Sequence, residues 1–197
     1  MALAGAIGAQ ARTAAEFFSA APDTVFPLLP QSTRLDMLDY FRFGSTRASD
    51  NKLGGKARVT AETDAVLDLC MTDSSTTQVA VMLAGNDTVV AVATTLLTPL
   101  PDTNVRFYRS DWSPARLALP EPAYNEWLTA KGRADMVRTR ELLPFMLVEA
   151  RIAPDASSVT LSNAAVRYVA AELRDEAAAT VVPEMKFVLT GNKFVRQ

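Results

Sequence analysis

The stretch TRLDMLDYF sets Asp36 and Asp39 three residues apart, with Arg34 within one turn of them. On a helix that spacing brings both carboxylates to one side. Two carboxylates whose surroundings differ can divide into acid and base, so Arg34, Asp36 and Asp39 are the first set an enzyme without histidine would use. The same three residues also serve a solvated helix face held by a salt bridge, which is the commoner arrangement. A second set is aromatic. Tyr108 and Trp112, in RFYRSDW with Phe107, can line a binding groove, although aromatics at strand spacing more often enter a core.

Two further stretches carry less. NKLGGK, residues 51–56, joins a glycine pair to a lysine but lacks the spacing of a phosphate loop, and Ala57 stands where a magnesium-holding hydroxyl would be needed. A turn explains it. KGRADMVRTR, residues 131–140, gathers four cations around Asp135 without interleaved aromatics, which suits a solvated face or a local anion contact better than nucleic acid.

The residue types that are missing restrict the chemistry further. The chain has no histidine, which removes Ser-His-Asp and Cys-His catalysis and His-ligated zinc. Its one cysteine, Cys70 in AVLDLCMTD, can form neither an intrachain disulfide nor a thiolate metal cage and reads as a small apolar residue of a strand. No metal or other cofactor is expected.

The 197 residues are 49% hydrophobic and 21% charged, with a formal net charge of −2, the composition of an ordinary globular protein. No stretch reaches the roughly 18 apolar residues of a membrane-spanning helix. The charge balance gives no general reason to bind nucleic acid.

Turning to the elements that position these residues, the spacing predicts a short helix in TAAEFFS and a longer one in QSTRLDMLDYFRFG. The second is expected to be capped by Ser32 or Thr33, with Asp36 three residues beyond Thr33, and closed by Gly44. Its Leu35, Leu38 and Arg42 share one stripe, and Met37, Tyr40 and Phe41 the next. DAVLDLCM, TTQVAVML and TVVAVATTLL read as an antiparallel meander, which NVRFYRSDW joins by alternating Val105 and Phe107 against Arg106 and Tyr108. Residues 113–144 form a crossing segment broken by Pro114, Pro120, Pro122 and Pro144, with a short helix expected from Pro122 to Gly132. FMLVEARIA and SVTLSNA are strands. A helix is expected from Asn163, its cap, to Val181, with Val166, Val169, Ala170, Leu173 and Ala177 on one face, and a final hairpin turns at Gly191 and Asn192. The expected fold is α+β: an antiparallel meander covered by the N-terminal helices and one C-terminal helix.

FPLLPQSTRLDMLDYF, then NKLGG, then TDSSTTQ between strands, then DTVVAVATTLLTPLPDTNVRFYRSDW resembles, in that order, the bacterial family known as domain of unknown function 3256. The likeness is clearest over residues 13–112 and continues through MKFVLTGNKFV. It implies a small exported protein of host-associated anaerobic bacteria, made with a signal peptide, and carries no catalytic residues. The opening MALAGAIGAQA fits that expectation: an apolar run ends in the small-x-small pattern Ala9, Gln10, Ala11 that signal peptidase reads. Residues 1–11 are therefore expected to be a signal-peptide remnant, and residues 12–197 one α+β domain, periplasmic or secreted.

The expected function is a non-catalytic envelope module that binds a protein, a glycan or a small ligand through the sheet face or the proline-broken crossing segment. Arg34, Asp36, Asp39, Tyr108 and Trp112 are its candidate contacts. The alternative is an enzyme that relies on carboxylates and arginine alone.

Overall fold

Runs of Val, Leu, Thr and Ala at period two build the centre of the protein, a computed structural model that describes residues 11–98 and 101–197. Six strands pair in sequence order: β1 (Ser49–Asp50), β2 (Lys56–Glu62), β3 (Val66–Thr72), β4 (Ser75–Ala84), β5 (Asp87–Leu96) and β6 (Asp102–Arg109). Every pairing is antiparallel, as expected for the meander. The two-residue turn between β4 and β5 places Gly85 at φ +63°, where a side chain would be strained.

Alternation along these strands gives the sheet two apolar faces. Leu67, Leu69, Val79, Val90 and Val92 pack against α1 (Ala14–Ala20) and α2 (Gln31–Arg42). Thr13 opens α1 with a reciprocal cap, accepting from the Glu16 amide at 3.2 Å while its own amide donates to the Glu16 carboxylate at 2.8 Å. For α2 the expected cap is corrected: Pro30 occupies the cap position, and Ser32 and Thr33 already lie in the first turn. The first helical bond runs from the Arg34 amide to the Pro30 carbonyl, which needs no hydroxyl. The closing glycine is as expected, with Gly44 at φ +68° and the Ser45 amide bonding back to the Tyr40 carbonyl. Met37 and Leu38 are buried beneath α2, whereas Leu35 is half exposed.

Ala80, Met82, Val89, Ala91 and Phe107 line the opposite face, which is covered by a second sheet rather than by a helix. That sheet contains β7 (Val148–Ile152), β8 (Ser158–Asn163), β9 (Glu184–Thr190) and β10 (Lys193–Arg196), in the spatial order β10-β9-β8-β7 and antiparallel throughout. Ile152, Val159, Leu161, Met185 and Phe187 are its contribution to the core between the sheets. The hairpin turn at Gly191, φ +58°, is as expected.

Two expected helices are corrected. Residues 122–132 hold a 3-10 turn (Tyr124–Trp127) followed by α3 (Ala130–Ala134), and Gly132 lies inside α3 rather than closing it. Thr129 caps α3 by accepting from the Gly132 amide, and the next helix is α4 (Met136–Leu142). Residues 163–181 are not one helix. Asn163 ends β8 and turns the chain by accepting from the Ala165 amide at 3.0 Å; 3-10 turns follow at Ala165–Tyr168 and Ala171–Leu173, with Val169 extended between them. Only Arg174–Thr180 forms a true helix, α5. The apolar residues still converge, because Val166, Val169, Leu173 and Ala177 join Leu128, Leu142 and Leu143 in a third small core. There α5 packs on α3 and α4 rather than over the meander. The expected signal-peptide remnant, residues 1–11, lies outside the described residues up to Gln10.

Candidate functional site at the edge of the large sheet

β6 ends the large sheet, and its outer edge is completed for only part of its length. The Arg109 amide donates to the Ser113 carbonyl at 2.8 Å and the Ala115 amide to the Phe107 carbonyl at 2.9 Å, with a bridge between Tyr108 and Pro114. Past Ala115 the chain draws away from β6. Ala115, Leu117 and Leu119 are half-buried and alternate with exposed Arg116 and Ala118, so the period of two continues after the pairing stops. Pro114 sits in the bridge with Tyr108, where its missing amide costs the ladder no bond, and Pro120 and Pro122, which have no amide to offer, bound the stretch that follows.

Between β6 and this stretch lies a groove of about 680 Å³, lined by Asp102–Tyr108, Pro114, Leu117–Pro122, Val148, Ala150 and Leu161. It opens at the mouth of the sandwich: Val105, Leu117, Leu119 and Val148 pack against the core between the sheets. The lining also carries Asp102, Arg106 and Glu121, none of which is ion-paired among the described residues. At the far wall the Thr103 hydroxyl accepts from the Ala150 amide at 3.1 Å, tying β7 to β6.

Of the sequence-predicted contacts, Tyr108 lines the groove. Trp112 stands behind it at φ +68°, its ring 5.5 Å from Tyr108, 6.2 Å from Phe17 and 6.3 Å from Phe26, and its indole N–H is buried without a partner among the described residues. Arg34 is only 1% exposed. It donates to the carbonyls of Leu29, at 2.6 Å, and Ala21, and to the Asp23 carboxylate at 3.0 Å, holding the end of α1 and the turn before α2. Asp36 and Asp39 are exposed on α2, and their carboxylates make no ion pair with Arg34 and no hydrogen bond among the described residues. The structure thus brings Tyr108 and Trp112 together and separates Arg34 from the two carboxylates.

The weaker stretches are structural. In NKLGGK the Asn51 carboxamide oxygen accepts from the Leu53 and Gly55 amides, both at 2.9 Å, forming the β1–β2 turn. In KGRADMVRTR, Arg138 is forked onto Glu176 at 2.7 and 3.0 Å and reaches Glu141 at 3.3 Å, while Arg140 lies over the Tyr124 ring at 4.5 Å. The hydrogen bonds from Arg138 hold the Glu176 carboxyl below its ordinary range. Among the described residues no three His, Cys, Asp or Glu side chains gather as a metal site, and no helix is long and apolar enough to cross a membrane.

Sequence reasoning named the crossing segment, and Val105 as an alternating strand residue, but not Leu117, Leu119, Asp102 or Glu121. Their signal was strand-period alternation running on through a proline-broken stretch.

The family model described as "Protein of unknown function (DUF3256)" matches residues 6–194, well beyond the stretch where the sequence resemblance is clearest. No curated protein matches the chain. Among solved structures, a domain of an uncharacterized protein from Porphyromonas gingivalis W83 superimposes with a TM-score of 0.77 at 16% identity, covering 95% of this chain and 99% of that one. At that identity the likeness is one of fold, and it is α+β.

Proposed function

We propose that this chain, which belongs to the DUF3256 family, is a non-catalytic binding module of the bacterial cell envelope whose docking site is the groove along β6. The groove carries this reading. It is of ligand-binding size, mostly apolar, and bears a few charged groups that can orient a partner. The side chains first considered for acid–base work have other roles or stand in solvent: Arg34 is spent on backbone carbonyls, and Asp36 and Asp39 are apart from it.

Export is the second half of the proposal, supported by the apolar run that ends in Ala9, Gln10, Ala11. Intact mass of the native protein from fractionated host cells tests it. A periplasmic or secreted species beginning at Arg12 is expected; a cytosolic species beginning at Met1 overturns it. The groove is tested separately with a photo-crosslinking residue at Leu119. Crosslinks to an envelope component that disappear when the residue is moved to exposed Asp36 are expected, and equal crosslinking from both positions sinks the site.

A further inference from the structure

We infer that the β6 groove receives an extended polypeptide segment, which adds to the large sheet as a strand; this rests on the groove being the binding site. The backbone of β6 carries the argument. Arg109 and Phe107 direct their outward groups to Ser113 and Ala115, so by strand alternation Thr103 and Val105 also point theirs away from β5 and into the groove. Among the described residues the amides of Thr103, Val105 and Phe107 and the carbonyls of Thr103 and Val105 have no hydrogen-bond partner. A partner that covered these groups without pairing them would leave each at a cost of about 1–3 kcal/mol. An extended backbone meets them at their own repeat, and a purely apolar ligand cannot.

The opposite wall suits the same occupant. After a bend at Arg116, residues 117–119 form no regular structure, Leu117 and Leu119 are half-buried where Ala118 is exposed, and none of the amides of residues 116–119 is paired to backbone among the described residues. Val105, Leu117, Leu119 and Val148 offer apolar contact to alternate side chains of a strand laid between the walls. From Asp102 to Phe107 the open edge runs about 17 Å at strand rise, enough for about five or six residues. Charge narrows the partner further: Asp102 and Glu121 outnumber Arg106 in the lining, so a segment carrying a basic residue complements the groove. Past Ala115 the chain's own crossing stretch makes no backbone bond to β6 among the described residues, and that leaves this place open.

The probe is an acetylated peptide of alternating valine and lysine, added to the whole protein while amide hydrogen exchange is followed by NMR. Exchange at Val105 and Phe107 is expected to slow about tenfold or more, while Asn104 and Arg106, already bonded to β5, stay as they were. The same peptide N-methylated at alternate amides keeps its side chains and is expected to lose the effect, and a valine–glutamate peptide is expected to bind more weakly. Val105→Pro, which removes one outward donor and no β5 bond, is expected to weaken binding of the unmethylated peptide. Shifts of groove side-chain signals without slowed exchange, or equal effects from the methylated peptide, overturn strand addition while leaving the groove as a binding site. No response to the valine–lysine peptide also overturns strand addition, and the Leu119 crosslink then decides the groove reading independently.

Discussion

The carboxamide of Gln78 spans the gap between the two sheets to the backbone of Ile152, accepting from its amide at 2.8 Å and donating to its carbonyl at 3.3 Å. The same nitrogen also donates to Asp68 at 2.8 Å. Together with the Thr103 hydroxyl on the Ala150 amide, it supplies partners along the outer edge of β7, which no strand covers among the described residues. Two side chains of the large sheet thus bond the open edge of the small one.

Replacing Gln78 with leucine keeps much of the bulk and leaves both buried Ile152 groups without their partner. The expected loss is about 2–4 kcal/mol, one to two buried polar groups' worth, read as a lower urea midpoint at unchanged slope. Gln78→Glu is expected to cost more near neutral pH, because its carboxylate faces both Asp68 and the Ile152 carbonyl. A midpoint equal to that of the parent protein would mean the bridge contributes nothing to holding the sheets together.

Arg34→Met removes the donors to the Ala21 and Leu29 carbonyls. A drop of about 2–4 kcal/mol is expected, little of it from exposed Asp23. Arg34→Lys should recover only part, since an ammonium cannot present the guanidinium's planar fork. Asp36→Asn and Asp39→Asn, exposed on the same helix, are expected to change stability by less than about 0.5 kcal/mol. Chemical denaturation of all four separates the structural arginine from the solvated carboxylates, and a large effect at either aspartate would reopen a role for the pair.

Gly132→Ala should disturb the small helical core. A Cβ there would lie 2.1 Å from the Thr180 carbonyl oxygen, a backbone atom that cannot move without shifting α5. The expected cost is about 1–3 kcal/mol, with hydrogen exchange quickening in α3, α4 and α5 before the β3–β5 ladder. Uniform quickening across both sheets would argue against a local effect.

Acid should weaken the contact between α4 and α5. The folded-state pKa of Glu176 is lowered by its hydrogen bonds from Arg138, so its contribution is complete above the ordinary carboxylate pKa of about 4.3 and fades as pH falls through the lowered value. Asp111 and Asp155 are lowered in the same sense by Ser113 and Ser157 and lose their contributions in the same direction. Glu176→Gln is therefore expected to flatten part of the fall in urea midpoint on acidification, and a variant profile parallel to the parent's would show that the ion pair contributes nothing.

The meander, the Gly44 helix end and the Gly191 hairpin were legible because each rests on local rules, period two or a left-handed turn residue. The layering was not. Val159 and Phe187 read as strand residues, but alternation does not say which sheet they cover. The expected helix over residues 163–181 failed because an apolar stripe at helical spacing also arises from 3-10 turns around one small core. Arg34 misled for a related reason: a charged residue beside carboxylates suggests chemistry, whereas its burial against backbone carbonyls depends on residues brought in from the end of α1. The groove itself is a failure of pairing, and strand-period alternation running on to Pro120 and Pro122 was the hint of it.

Each strand of the large sheet pairs with the next in sequence, so every loop closed in building it is short and the entropy of closing it small. The small sheet comes wholly from later residues, β7 starting at Val148. Emerging N-terminus first, from the ribosome or from an export channel, the meander and its two helices can therefore assemble before the second half has followed. Until that half arrives, Ala80, Met82, Ala91 and Phe107 form a bare apolar wall on an otherwise finished sheet. The nascent chain is most exposed to aggregation in that interval, and a holding chaperone would find its target there.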